Sequence, residues 1–157
     1  MEIIKPNTVK RSYTQFINSA PGKVFPLLCP VREKEWVDGW DPELVITESG
    51  FAEKESIFIT KDREKKSTWI ITRYEPLNYE LEMYIVTPGI TVGKLEIKLN
   101  EDGNSKTKAS ICYSYTSLST EGDEFVRNYT GEKYTAFMKT WEEEINHYLL
   151  TGKKISK

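Results

Sequence analysis

The feature that most constrains this chain is one apolar stripe near its C-terminal end. Tyr134, Phe137, Met138, Trp141, Ile145, Tyr148 and Leu149 recur every three or four residues, the spacing of one face of an α-helix. Lys133, Lys139, Glu142, Glu143 and Glu144 fill much of the rest of the turn, so the helix has one face to bury and another to hydrate. No other helical pattern in the chain is as long. The stripe therefore needs a partner surface of a different kind, and a sheet is the only candidate.

Strand-like segments supply it. Residues 44–47, 55–61, 67–74, 79–87, 91–99 and 107–117 are each bounded by turn chemistry such as Glu48-Ser49-Gly50, Pro76-Leu77-Asn78 and Pro88-Gly89, and they predict an antiparallel meander. Alternation is clearest in the last two. Leu95, Ile97 and Leu99 share one parity with Ala109, Ile111, Tyr113 and Tyr115, while Lys94, Glu96, Lys98, Lys108, Ser110 and Ser114 take the other. The sheet should be dry on one face and wet on its reverse. The mixed-sign run Lys61 to Lys66 reads as a solvated hairpin tip.

Residues 9–18 form a further strand, after which the period changes. Ser19-Ala20-Pro21 offers an N-cap serine and an early proline, and Val24, Phe25, Leu27 and Leu28 fall on one side of a short helix. A second short helix spans Cys29 to Trp36, and Gly39 ends it. The long helix is expected from about Glu121, with Thr120 as its cap, Gly131 as an internal kink and Gly152 as its stop. The expected fold is α+β over residues 1–157 as a single domain: a helix-grip in which a curved antiparallel sheet of about seven strands wraps the long C-terminal helix, with two short helices after the first strand. The gap between the concave sheet and the helix is a natural pocket.

Composition narrows the function classes. Lys and Arg number 22 against 24 Asp and Glu, with neither sign collected in one half, so no footprint for nucleic acid is present. No run approaches the ~18 apolar residues of a membrane helix. Cys29 and Cys112 stand far apart without metal-ligand spacing, which argues against a zinc site or disulfide framework and suits the cytoplasm. No cofactor is called for.

The order of elements resembles the START-like (SRPBCC) superfamily, which includes birch-pollen-allergen-type proteins, polyketide cyclase/dehydrase-type proteins and chaperone-activator relatives. The stretch from Ala20 to Glu33, then Glu35-Trp36-Val37-Asp38-Gly39-Trp40, is similar to the first elbow of uncharacterised bacterial members, as are Thr68-Trp69, Leu118 to Gly122, and Trp141-Glu142 with Asn146 to Leu149. The resemblance runs from about Lys10 to Lys154. It implies a hydrophobic ligand between sheet and helix, and it carries over no catalytic residue.

On that expectation the ligand-binding candidates are Trp36, Trp69, Arg73, Tyr113, Tyr115, Tyr134, Phe137, Met138 and Trp141. The indoles give broad walls with an N–H donor, and the tyrosines give polar tips amid apolar surface. Arg73 shares the parity of Trp69 and Ile71, which would aim a guanidinium inward at an acid or an anionic ligand. Arg32 can clamp an anion or pair locally on its short helix. Cys29 reads as a packing thiol and His147 as a partly exposed helix residue. The leading function is binding or carriage of a small hydrophobic molecule, aromatic or lipid-like. A cyclase/dehydrase-type enzyme and a protein-interaction module are the alternatives, and a homodimer or protein partner stays open.

Overall fold

Pro21 opens the first helix because its fixed φ suits the first turn and its missing N–H has no helical partner to lose there. In the computed structural model, which describes residues 1–156, β1 (Thr8–Ile17) leads into α1 (Pro21–Val24), which tightens at once into a 3-10 turn (Phe25–Leu27). A second 3-10 turn covers Arg32–Glu35. Ala20 rather than Ser19 holds the N-cap position, with no side-chain capping bond. α1 and the first 3-10 turn dock on the core through Val24, Phe25 and Leu27, and the second 3-10 turn buries Glu33.

The meander continues as β2 (Leu44–Ile46), β3 (Ile57–Asp62), β4 (Lys65–Glu75), β5 (Glu80–Thr87), β6 (Thr91–Glu101) and β7 (Thr107–Ser117). Sheet order is β1-β7-β6-β5-β4-β3-β2, and every neighbouring pair is antiparallel. Leu95, Ile97, Leu99, Ala109, Ile111 and Tyr113 are all buried, and Lys94 and Lys98 pair with Glu82 and Glu80 on the opposite face. The division into dry and wet faces matches the alternation in the sequence.

One strand departs from its parity. The register between β4 and β5 shifts between Ile71 and Arg73, so an extra residue enters β4 and re-aims the side chains beyond it. Ile71 is fully buried, Tyr74 packs inward against Phe25, and Arg73 turns to the wet face, where it meets Glu80 at 3.5 Å. The expectation that Arg73 points inward assumed an unbroken strand, and the bulge reverses it.

The expected single helix is two. Ser119, not Thr120, caps α2 (Thr120–Asn128) by accepting from the Gly122 N–H. The chain then breaks at Tyr129, and Thr130 restarts it as the cap of α3 (Gly131–Thr151), accepting from the Lys133 N–H. Gly152 closes α3 in the left-handed conformation, φ 70°, its N–H donating to the Tyr148 carbonyl. Glu144, expected on the solvated side, is buried on α3. No helix among the described residues is long and apolar enough to cross a membrane.

α3 also covers the open edge of the sheet. The buried Gln15 amide donates to the Met138 carbonyl at 2.9 Å, the Phe16 N–H to Glu142 Oε2 at 2.6 Å and the Asn18 N–H to Asn146 Oδ1 at 2.8 Å, while Asn146 Nδ2 returns a bond to the Phe16 carbonyl. An edge strand presents unpaired backbone groups. Here α3 side chains take several of them, which pins the helix to β1.

Candidate functional site: an aromatic cavity with a buried carboxyl

The alternation that sends every second residue of a strand to the concave face lines up Phe58 on β3, Trp69 on β4, Met83 on β5, Leu95 on β6 and both Tyr113 and Tyr115 on β7. Phe137 and Trp141, one helical turn apart on α3, face them. Val37 to Trp40, after the second 3-10 turn, and Tyr129, between α2 and α3, complete the wall. These residues enclose a cavity of about 400 Å³, and eight of its fourteen lining residues are aromatic. That volume and lining match what small-molecule sites require.

The rings hold one another. Trp69 stacks on Phe58 with centroids 5.2 Å apart, Trp40 meets Phe58 edge-on at 6.0 Å, and Phe137 meets Tyr113 edge-on at 6.3 Å. Tyr115 lies across the backbone of Gly93, where an added Cβ would stand 2.6 Å from the tyrosine ring. Only glycine at that position lets the ring lie flat over β6.

Three of the four indole N–H groups are already spent. Trp36 donates to the Leu27 carbonyl at 3.0 Å, Trp40 to the Pro30 carbonyl at 2.7 Å and Trp69 to Thr60 Oγ1 at 2.9 Å. Trp40 and Trp69 therefore offer the cavity ring surface alone. The polar side-chain groups that remain among the lining residues are the Trp141 indole N–H, Glu33, Asp38 and the phenols of Tyr113, Tyr115 and Tyr129.

Glu33 is the unusual one. The second 3-10 turn buries it to 6% exposure and brings it to the cavity wall. Among the described residues no salt-bridge or hydrogen-bond partner answers it, and burial alone pushes its carboxyl up to about 8. At neutral pH it is mostly the uncharged acid. Burial likewise drives the Tyr113 phenol well above its ordinary range, with the neighbouring Tyr115, Tyr129 and Glu33 adding to the effect. Tyr115 and Tyr129 shift upward mainly from burial as well. Among the described residues no Lys, Arg or His belongs to the lining.

No protein-family model and no curated protein sequence matches the chain. Solved structures do. Norcoclaurine synthase from Thalictrum flavum superposes with a TM-score of 0.68 at 10% identity, over 93% of this chain and 88% of that one. A Staphylococcus aureus protein of unknown function gives a TM-score of 0.68 at 12% identity, with 94% and 97% covered. CalU16 from Micromonospora echinospora gives 0.57 at 15%, with 93% and 88% covered. The chain has the START-like helix-grip fold. Identities this low establish the architecture and leave the chemistry to the residues themselves.

Within this START-like frame, Trp69, Tyr113, Tyr115, Phe137 and Trp141 come together on the cavity wall. Three further candidates from the sequence stand behind it. Trp36 is fully buried against Trp141 with centroids 5.1 Å apart, Met138 is fully buried, and Tyr134 donates its hydroxyl proton to the Ile111 carbonyl at 2.7 Å. Arg73 lies outside on the wet face. Arg32 pairs with Glu35 at 3.1 Å, and Glu35 accepts from the Tyr148 hydroxyl, so it holds the elbow to α3. Cys29 is buried and accepts from the Ala52 N–H, and His147 is half-buried.

Sequence reasoning missed Glu33 as a cavity group. A 3-10 turn of four residues has no period to read, and the groups around it come from positions 37 to 141. The signal that was available is weak: Glu33 is three residues from Trp36, which favours a shared inward face. A second recess of about 350 Å³ lies between the sheet and α2, and Trp69 and Tyr115 line both spaces.

Proposed function

We propose that this START-like chain binds and carries a small hydrophobic molecule between the concave sheet and α3. The observation that carries the reading is the aromatic cavity of about 400 Å³, a size and lining suited to an aromatic or compact lipid-like body. The test is native mass spectrometry of freshly purified protein against the same sample denatured. A non-protein mass that is lost on denaturation supports the reading. A bare protein whose tryptophan fluorescence also stays unchanged across a panel of aromatic and aliphatic ligands overturns it.

A second reading is an enzyme of the cyclase/dehydrase type, favoured by two proton-bearing groups that line the same cavity, Glu33 and Tyr113. A carboxyl poised near neutral pH suits proton transfer. Turnover of a retained ligand that is lost in both Glu33→Gln and Tyr113→Phe supports this reading. A retained ligand recovered unchanged after incubation supports simple carriage.

A further inference from the structure

The cavity holds a carboxyl with nothing opposite it, and its surroundings discriminate among the ligands that could answer. Glu33 is 6% exposed, lines the cavity and has no counter-ion among the described residues. A hydrocarbon filling the space would leave it unpaired, and an unpaired buried polar group is costly. An anion would meet Glu33, the Asp38 carboxyl and the negative faces of the surrounding rings. A cation meets all of these favourably. Ring faces attract an ammonium group directly, and among the described residues no basic side chain on the lining competes for the carboxylate.

We propose that the cavity recognises an organic cation, a compact apolar or aromatic body bearing an ammonium nitrogen, with the Glu33 carboxylate as its counter-ion and the rings of Trp40, Trp69, Tyr113, Phe137 and Trp141 as its cage. The proposal rests on the binding reading above and specifies the charge of the ligand. Among the described lining residues only Asp38 carries another carboxyl. β3, β4, β5 and β6 contribute Phe58, Trp69, Met83 and Leu95, none of which titrates. β7 contributes Tyr113 and Tyr115, and the link between α2 and α3 contributes Tyr129, all phenols raised above their usual range and neutral at ordinary pH. α3 contributes Phe137 and Trp141. Asp38 stands in the exposed segment after the 3-10 turn, where it adds to the attraction for a cation at the mouth.

The carboxyl also sets the sign of the pH dependence. A cation pairs with the ionised carboxyl, whose acid form predominates below about 8. Cation binding must therefore release a proton in that range and tighten as pH rises, by up to about tenfold per unit, before levelling off.

The experiment compares two probes of nearly one shape, phenyltrimethylammonium and tert-butylbenzene, by tryptophan fluorescence titration of the full chain from about pH 6 to about pH 9.5, a range that brackets the Glu33 titration. The ammonium probe carries a permanent charge, so any pH slope belongs to the protein. The expected result is preference for the ammonium probe by about tenfold or more at about pH 9, with a slope confined below about pH 8 and abolished in Glu33→Gln. Equal affinity for the two probes, or a flat profile for the cation, overturns the cation assignment and leaves the binding reading standing. If neither probe binds, the cation assignment falls, and a retained mass in the native spectrum of the same preparation decides the binding reading separately. Should Glu33→Gln fail to fold, the wild-type slope with the two probes carries the test alone.

Discussion

Along the β1 seam, α3 buries polar groups that are answered: the Gln15 amide reaches the Met138 carbonyl, and Glu142 and Asn146 take the backbone of Phe16 and Asn18. In the cavity the same helix turns Phe137 and Trp141 toward Glu33, a carboxyl with no such answer. The difference separates two uses of buried polarity. A satisfied group fixes geometry, because removing either partner leaves the other stranded. One without a protein partner stays open to whatever enters the cavity, water or ligand. The seam orients α3, and the cavity is where that orientation is put to use.

Four substitutions sharpen the contrast. The largest effect belongs to Glu33. Its carboxyl sits at about 8 in the fold against an ordinary value of 4.5, so the folded state binds the extra proton between those limits. The contribution of Glu33 to stability is fullest below about pH 4.5 and falls as pH rises, by roughly 1.4 kcal/mol per unit at the steepest, until about pH 8. Glu33→Gln should flatten that slope in urea denaturation and leave the variant more stable than the parent at about pH 9. Gln15→Ala acts in the opposite sense and without regard to pH. It removes a buried hydrogen bond and opens a void beside α3, at a cost of about 2 kcal/mol by the same denaturation.

Asn146→Ala breaks two bonds to the β1 edge and should cost about 1 kcal/mol, with faster hydrogen exchange at the Asn18 amide as its local signature. Arg73→Ala should change stability by less than about 0.5 kcal/mol, since Arg73 is exposed to solvent and its partner Glu80 also pairs with Lys98. It should leave ligand affinity untouched. A strong loss of binding in that variant would mean that the bulge at Ile71 does not hold in solution.

What the sequence revealed divides along the same line. Strands and the helical stripe were legible because a buried face leaves a period: Leu95 to Leu99 and Ala109 to Tyr115 state the dry face, and Tyr134 to Leu149 the gripped helix. Where one residue is inserted the parity argument fails, as it does for Arg73 beyond the bulge in β4. The break between α2 and α3 was half visible in Gly131, but the capping role fell to Thr130, whose side chain reaches the Lys133 N–H. Tryptophan and tyrosine positions pointed to the cavity, yet type alone could not separate Trp69 on its wall from Trp36 behind it. Glu33 was beyond reach for a different reason. Its environment is assembled from β7, α3 and the Trp40 loop, so within one turn of the chain only the spacing to Trp36 hints at it.

Glu33 sits without a protein partner in an apolar cavity, and the decisive measurement is its own titration. Selective carbon-13 labelling of glutamate side chains, with Glu33 assigned by the Glu33→Gln variant, follows its carboxyl carbon by NMR through the pH range in ligand-free protein. A midpoint near 8, falling when phenyltrimethylammonium is added, is the predicted result. A midpoint in the ordinary glutamate range near 4.5, unmoved by the cation, would contradict the claim.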